Sequence, residues 1–154
     1  MWKNDLREKE KAALEKLLLE APYIQIATIC EGEPYLIAMH YAYRDGAIYV
    51  HGANRGRKAL AFAESKPVAF QIVAGVEPVP NDNPCDWSCR FFSILGRGRL
   101  ERLAAEELPI ALNYIAEKFS GKGDFVFPEP MLQATCVWRI AVSELTGRVK
   151  RYEL

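Results

Sequence analysis

Three basic residues follow a glycine-flanked loop at the end of an apolar strand. The segment YVHGANRGRKALAF (49–62) passes from this strand through the loop 51–54 into a short predicted helix, whose first residues include Arg55, Arg57 and Lys58. A helix N-terminus already carries positive partial charge and free N–H groups, so basic side chains there are unfavourable unless an anion lies among them. A phosphate fits that requirement. A solvated basic helix start is the alternative, and charge alone supports the two equally.

The glycines around this loop do not fit the usual nucleotide-binding motifs. Residues 52–59, GANRGRKA, resemble a P-loop, but the spacing is one residue short and Ala59 stands where a serine or threonine would bind magnesium. The segment Gly96-Arg97-Gly98 leads into a strand-like run rather than a helix, which argues against a Rossmann fold. The residues therefore indicate a metal-free phosphate cradle made of Arg57, Lys58 and loop amides.

The chain contains two histidines and no recognisable nucleophile motif or carboxylate pair. His51 ends the strand beside the cradle, where it could bind a ligand or donate a proton near neutral pH. The alternative is a strand-end histidine that bonds to backbone. His40 lies in an alternating strand between Met39 and Tyr41, which favours a structural role. A protein that holds a phosphorylated ligand without catalytic groups of its own relies on a cofactor for its chemistry.

The composition is that of an ordinary globular chain without overall charge. Half of the 154 residues are hydrophobic and the formal net charge is zero, so no global field attracts nucleic acid. No apolar run is long enough to cross a bilayer, and the charged, helical start (1–22) differs from a signal peptide. We therefore expect a cytoplasmic protein that binds neither nucleic acid nor membrane.

The cysteines do not suggest a metal centre. Cys85 and Cys89 are spaced C-x3-C and lie far from the histidines, which is poor spacing for zinc. Cys30 and Cys136 fall within apolar strands and are expected to be small core residues. We expect no bound metal.

The hydrophobic pattern predicts the element order α-β-β-β-α-β-β-α-β. Helices are predicted over 3–19, 55–65 and 104–119, strands over 23–30, 35–43, 47–50, 68–74, 87–103 and 133–145, and irregular loops over 75–86 and 120–130. Asn54 is the expected N-cap of the second helix, and a bulge or bend is expected at Gly96 and Gly98. Hairpin-linked strands with few helices indicate a mainly β fold, an antiparallel barrel with peripheral helices.

We expect residues 1–154 to form a single domain. Its parts would be an N-terminal helix (1–20), a barrel (21–145) and a basic tail (146–154).

Three longer segments carry a family resemblance. They are PYLIAMHYAYRDGAIYVHGANRGRKALAF (34–62), CDWSCRFFSILGRGRLERL (85–103) and VWRIAVSELTGR (137–148). In their order and spacing they resemble the FMN-binding split-barrel superfamily, which includes pyridoxamine 5′-phosphate oxidase. The nitroimidazole-resistance (nitroimidazole reductase-like) branch is the more similar one, and the resemblance covers nearly the whole chain.

The resemblance implies a six-stranded antiparallel split barrel and a homodimer with FMN in a groove between the subunits. Carried over by position, the cofactor-binding residues are Ile37, Ala38, Met39, His40 and Tyr41 along the isoalloxazine and ribityl chain, Val50, His51 and Gly52 near the phosphate end, Arg57 and Lys58 on the phosphate, and Ser93 from the same or the partner subunit. A loop histidine is associated with the active site in the nitroimidazole branch. His51 matches it and is the candidate catalytic residue.

The departures from the family pattern narrow the activity. Phe91 occupies the place of a glutamine of the oxidase branch, and the terminal substrate-binding motif of the oxidase is absent, so oxidation of pyridoxamine phosphate is not expected. The resemblance implies an FMN-dependent oxidoreductase, which would pass electrons from a nicotinamide donor to a nitroaromatic or quinone-like acceptor. Two alternatives remain: a flavin- or haem-binding protein without turnover, with His40 or His51 as an axial ligand, and a member that acts only through its dimer surface.

Overall fold

The computed structural model describes residues 2–152 and confirms the mainly β class. One antiparallel sheet contains all the strands of the described residues. Their bounds are β1 (Ile24–Cys30), β2 (Glu33–Met39), β3 (Tyr41–Arg44), β4 (Ala47–Ala53), β5 (Lys66–Val79), β6 (Ser88–Arg102) and β7 (Thr135–Lys150). The helices are α1 (Glu8–Glu20), α2 (Arg57–Ala61), α3 (Leu108–Ser120) and α4 (Glu129–Ala134). Short 3₁₀ turns at Pro84–Asp86 and Ala105–Glu107 complete the architecture.

The strand order explains why the sheet curls into a split barrel. The hydrogen-bonded order is β2-β1-β5-β6-β7-β4-β3, so β2 and β3 are the two edges. The chain nevertheless passes from Met39 at the end of β2 to Tyr41 at the start of β3 through His40 alone. Consecutive Cα atoms are about 3.8 Å apart, so the two edges must meet at this residue. We call this junction the seam.

The seam also accounts for the strand count. Seven strands replace the predicted six because the single strand predicted over 35–43 divides at His40 into β2 and β3, which pair with different neighbours. A hydrophobic pattern continues through such a division, since the side chains on both sides of it still face one core.

The core fills the inside of the curled sheet. Its largest fully buried side chains include Tyr41, Phe62, Phe70 and Trp138. The polar ends of two of them are satisfied: the Tyr41 hydroxyl donates to the Leu18 carbonyl at 2.6 Å, and the Trp138 indole N–H donates to the Phe62 carbonyl at 3.0 Å. These two bonds tie α1 and the end of α2 to the barrel, because a buried donor without a partner would be costly.

Two loop predictions are wrong at their boundaries. β5 continues through the predicted loop 75–86 as far as Val79, because a register shift between Ala74 and Glu77 lets the strand resume its pairing with β6. The short helix α4 lies mainly beyond the predicted loop 120–130, although it begins within it. In both places the turn-forming residues predicted a loop, but strand pairing or packing with distant residues favours regular structure instead.

The predicted basic tail is largely a strand. β7 extends to Lys150, and its last residues pair with the long β6, as in the pairs Ser93–Arg148 and Phe91–Lys150. Residues 153 and 154 of the predicted tail lie outside the described residues. The expected irregularity near Gly96 and Gly98 is confirmed by a register shift between Arg97 and Gly98.

Cys30 and Cys136 are buried, as predicted, and each is 2% exposed. No helix among residues 2–152 is long and apolar enough to span a bilayer.

Candidate functional site

The short helix α2 packs between β1 and β4, the neighbours of the two edge strands. It contacts β1, the neighbour of the edge strand β2, and it also contacts β4 on the opposite side. Ala61 and Phe62 anchor it, since both are fully buried in the core. The two basic residues that precede these anchors, Arg57 and Lys58, are therefore held between β1 and β4.

Arg57 and Lys58 extend from α2 toward different strands, β2 and β4. The Arg57 guanidinium carbon lies 5.9 Å from the centroid of the Tyr35 ring on β2. The Lys58 ammonium instead folds over the backbone of β4, where a Cβ on Gly52 would collide with Nζ and Cε. A glycine at position 52 thus leaves the space that the lysine occupies. We call the group formed by His40, His51, Gly52, Arg57 and Lys58 the seam site.

The start of α2 differs from the prediction. The helix begins at Arg57 rather than Arg55, and its N-cap is Gly56 with a φ of 88°, a conformation that favours glycine. Asn54 is not the cap, because its side-chain amide donates to the Gln133 carbonyl at 2.7 Å. A helix this short has a weak dipole, so the dipole argument carries less weight than the sequence suggested.

The stronger electrostatic argument is that the cations around this turn have no acidic partner. Within the described part of the chain, no salt bridge involves Arg55, Arg57, Lys58 or Arg102. Some basic side chains elsewhere on the barrel are paired, as in Arg97 with Glu144 at 3.4 Å and Arg139 with Glu101 at 2.9 Å, while others, such as Arg99 on β6, bond to neutral groups. Unpaired like charges repel each other, so their concentration at one turn favours an anionic ligand.

His51 faces this group of cations from β4. Burial of the imidazole by its surroundings lowers the pKa of His51, and electrostatic interaction with Lys58 and His40 lowers it further. The register of β3 and β4 pairs Tyr41 with Val50, which sets His40 and His51 opposite each other one residue further along. The imidazole of His51 is therefore neutral near pH 7, with one nitrogen able to donate and the other to accept. His40 also contacts the Phe119 ring, with 5.1 Å between the centroids.

Three of the predicted cofactor-binding residues point into the core. Met39, Tyr41 and Val50 are 5%, 0% and 0% exposed, so their side chains cannot reach a ligand on the surface. Their backbone groups remain at the seam. Ala38 is exposed and Ile37 is half-buried on the edge strand β2. An edge strand presents a row of unpaired N–H and C=O groups, which suits the expectation that the backbone lies along a ligand.

Ser93 lies on β6, opposite Val73 of β5. Through β1 and β5, Ala38 beside the seam is level with Leu95, because Ala38 pairs with Gln25, Gln25 with Gln71, and Gln71 with Leu95. The strand pairings therefore set Ser93 near the level of the seam on this side of the barrel. That it approaches the cofactor from the same or the partner subunit stays a prediction.

Sequence reasoning missed Arg102 and Tyr35. Arg102 ends β6 and reaches the turn before α2 only because β7 lies between β6 and β4 in the sheet. No local pattern signals that neighbourhood. Tyr35 belongs to the strand that was predicted to contribute backbone alone, but its ring contacts Arg57.

The comparison with family models decides the family. The model of the pyridoxamine 5′-phosphate oxidase family matches residues 10–149. The chain belongs to the pyridoxamine 5′-phosphate oxidase family. The predicted superfamily is thereby confirmed, and the matched range contains the whole seam site. No protein of curated function matches the sequence.

Solved structures with a similar fold include one that agrees with the predicted branch. A candidate 5-nitroimidazole antibiotic resistance protein from Bacteroides thetaiotaomicron is 26% identical with a TM-score of 0.76, over 94% of this chain and 86% of that chain. An FAD- and haem-binding protein from Mycobacterium smegmatis is 19% identical with a TM-score of 0.83, over 92% and 72%. The flavocytochrome Anf3 from Azotobacter vinelandii is 15% identical with a TM-score of 0.79, over 96% and 73%. The last two show similarity of fold alone.

Proposed function

We propose that this protein is an FMN-dependent oxidoreductase of the nitroimidazole-reductase type. Its acceptor would be a small nitroaromatic or quinone-like molecule, and its electron donor a nicotinamide nucleotide. One observation carries the proposal: Arg57 and Lys58 lie side by side at the start of α2, and neither forms a salt bridge within the described residues. They do so in a chain that belongs to the pyridoxamine 5′-phosphate oxidase family. The whole chain would form one flavin-binding domain, and a cytoplasmic location remains a prediction.

The residues of the seam site fit the phosphate end of FMN. A phosphate monoester carries nearly two negative charges at neutral pH. Arg57 would offer its planar donor fork and Lys58 a compact ammonium, so together they neutralise that charge through charge-assisted hydrogen bonds. Gly52 keeps the lysine close to the backbone of β4 because it has no Cβ. Pairing with an anion would also remove the repulsion between the two cations.

The remaining residues of the seam site would hold and tune the rest of the cofactor. The flavin held there would supply the redox chemistry, which links hydride transfer from a reduced nicotinamide to electron transfer to a second substrate. The free backbone edge of β2 around Ala38 would donate to and accept from the ring system. His51 would hold or release one proton at an imidazole nitrogen, a role that suits its lowered pKa. These assignments give the protein the tasks of binding, orientation and proton supply.

A homodimer would complete the site. Four apolar side chains point outward from neighbouring strands and remain 40% to 65% exposed: Ile29, Leu36, Val73 and Leu95. Ser93 lies on this face, opposite Val73 on the adjacent strand. The face extends to Leu36 on β2, next to the seam, so a two-fold contact through it would bring Ser93 beside the seam site of the partner subunit.

An absorption spectrum followed by a reduction assay tests the proposed function. The purified protein, or the protein after addition of FMN, should show the two flavin bands of the near-ultraviolet and blue. These bands should bleach anaerobically with NADH or NADPH and return when a nitroimidazole or a quinone is added. His51→Gln should slow the return while flavin content stays unchanged. A protein that binds FMN but is never reduced by a nicotinamide contradicts the enzyme assignment.

The second candidate function is flavin or haem binding without turnover, for storage or electron transfer. The juxtaposition of His40 and His51 at the seam favours it, because an imidazole can serve as an axial ligand of haem iron. Structurally similar proteins include one that binds haem and one flavocytochrome. A Soret band after addition of haemin, lost in His40→Ala or His51→Ala, would support this candidate. If the protein is colourless and binds neither flavin nor haem, the remaining hypothesis is a protein that acts only through its dimer surface.

A further inference from the structure

A cationic cavity lies next to the seam site, on the other side of α2. Its volume is about 330 Å³, and it is open to solvent. Its lining residues are Asn54, Arg55, Gly56, Ala59, Leu60, Ala63, Arg102, Cys136 and Trp138. We call it the Arg55–Arg102 cavity. The proposed function makes no use of it.

The helix α2 separates this cavity from the seam site. Ala59 and Leu60 of α2 line the cavity together with Gly56 and Ala63, which lie just beyond the two ends of the helix. Ala61 and Phe62 face the barrel core instead. Arg55 precedes Arg57 by two residues, so their Cα atoms are no more than about 7 Å apart. Two groups bound on the two sides of this turn could therefore belong to one ligand.

The lining combines two kinds of surface. Arg55 and Arg102 have exposed guanidinium groups, and neither forms a salt bridge within residues 2–152. Guanidinium forks bind phosphate oxygens in pairs. The wall opposite them is apolar, with Leu60 52% exposed beside Ala59 and Ala63. None of the residues that line the cavity is acidic. An exposed leucine beside small side chains suits a flat ring, and the guanidinium groups suit a phosphate.

We propose that the Arg55–Arg102 cavity binds an adenylate group, with its phosphate on the two guanidinium groups and its base against Leu60. The proposal rests on the proposed function, because it assumes a flavin phosphate on Arg57 and Lys58. One source of the adenylate is the AMP half of FAD, whose two phosphates are directly linked. Another is a separate adenine nucleotide, such as the nicotinamide donor, bound beside FMN.

Binding titrations with matched variants test the proposal. Flavin fluorescence would measure the affinities of the flavin-free protein for FMN and FAD, and calorimetry would measure the binding of ADP to the flavin-free and FMN-loaded protein. The test variant is Arg55→Ala with Arg102→Ala. The control is Arg99→Ala, an exposed arginine on the same strand whose side chain bonds to Ser65.

The two sources of adenylate give different expected results. If the adenylate belongs to FAD, the wild type should bind FAD about tenfold or more tightly than FMN, because one charge-assisted hydrogen bond contributes an affinity change of that size. The double variant should lose this preference and keep its affinity for FMN. If it belongs to a separate nucleotide, the FMN-loaded wild type binds ADP and the double variant does not. Arg99→Ala behaves as wild type in both cases.

Other results would overturn the inference without touching the proposed function. A protein that binds FMN and FAD equally and does not bind ADP when loaded has no adenylate site. A double variant that weakens FMN and FAD alike shows that the two arginines act on the flavin phosphate. If no flavin binds at all, the proposed function fails. The ADP titration of the flavin-free protein then still tests the cavity alone, since binding that the double variant abolishes supports it and absent binding refutes it.

Discussion

The substitution Gly52→Ala would displace one cation of the seam site without changing the charge of the chain. A Cβ at position 52 would collide with Nζ and Cε of Lys58, whereas Cδ, at 3.6 Å, would be in ordinary contact. Only the end of a flexible side chain must therefore move. The ammonium would leave the backbone of β4, and with it the position from which it is proposed to bind the phosphate.

The expected loss follows from the value of that one interaction. A hydrogen bond to a charged group contributes about 1.5–3 kcal/mol, which corresponds to about a 10-fold to 150-fold change in affinity. We expect FMN binding to weaken by about tenfold or more. The fold should not suffer, because the backbone at residue 52 does not have the positive φ that requires glycine. Replacing such a glycine by alanine stabilises a protein by about 0.4–1 kcal/mol through the unfolded state.

The assay is a flavin-fluorescence titration combined with a double-mutant cycle. FMN affinity would be measured for the wild type, Gly52→Ala, Lys58→Ala and the double variant, with thermal unfolding of each. Gly123→Ala serves as control, since a Cβ there meets only the Glu117 side chain at 3.3 Å or more. If alanine at position 52 acts through the lysine, it adds no further loss to Lys58→Ala. Equal losses in both backgrounds, or no loss in either, would refute this reasoning.

The remaining predictions concern the barrel and the histidine. Gly96→Ala should lower the free energy of unfolding by about 1–3 kcal/mol, because the new Cβ would collide with the buried ring of Phe70. Denaturant unfolding would measure this loss of stability. A Gly96→Ala variant as stable as Gly123→Ala would contradict the prediction. NMR titration should give His51 a pKa below the ordinary value of about 6.5, and the variant Lys58→Met should raise this pKa. A His51 pKa that is the same in Lys58→Met and the wild type would contradict the placement of the Lys58 ammonium near the imidazole. Because the folded pKa lies below the unfolded one, His51 should also reduce stability as the pH falls through the folded value, and His51→Gln should flatten that part of the profile.

The sequence predicted those features that depend on local pattern. Alternating apolar residues identified the strands, and the order and spacing of the three segments 34–62, 85–103 and 137–148 suggested the family. The bulge near Gly98 was also predicted, since glycine in a long strand pattern marks a bend or a close approach. Each of these signals lies within a few residues of the feature that it predicts.

The features that the sequence missed depend on contacts between distant segments. The division of one strand at His40 follows from the pairing of its halves with different neighbours, and no side chain in the pattern marks it. The placement of Arg102 beside Arg55 follows from the order of three strands. The cap of α2 was wrong because Asn54, a good capping residue, bonds instead to the segment that leads into β7. Local propensity is a weak guide where tertiary contacts compete with it.

The central claim is that Arg57 and Lys58 exist at the seam to bind the phosphate of a flavin. Comparing FMN with riboflavin, which lacks the phosphate, measures this directly in the wild type and in a variant with both residues changed to alanine. The account predicts that the wild type prefers FMN strongly and that the variant binds the two ligands with similar, weak affinity. A wild type that binds riboflavin as tightly as FMN, or a variant that keeps the full preference, would contradict it.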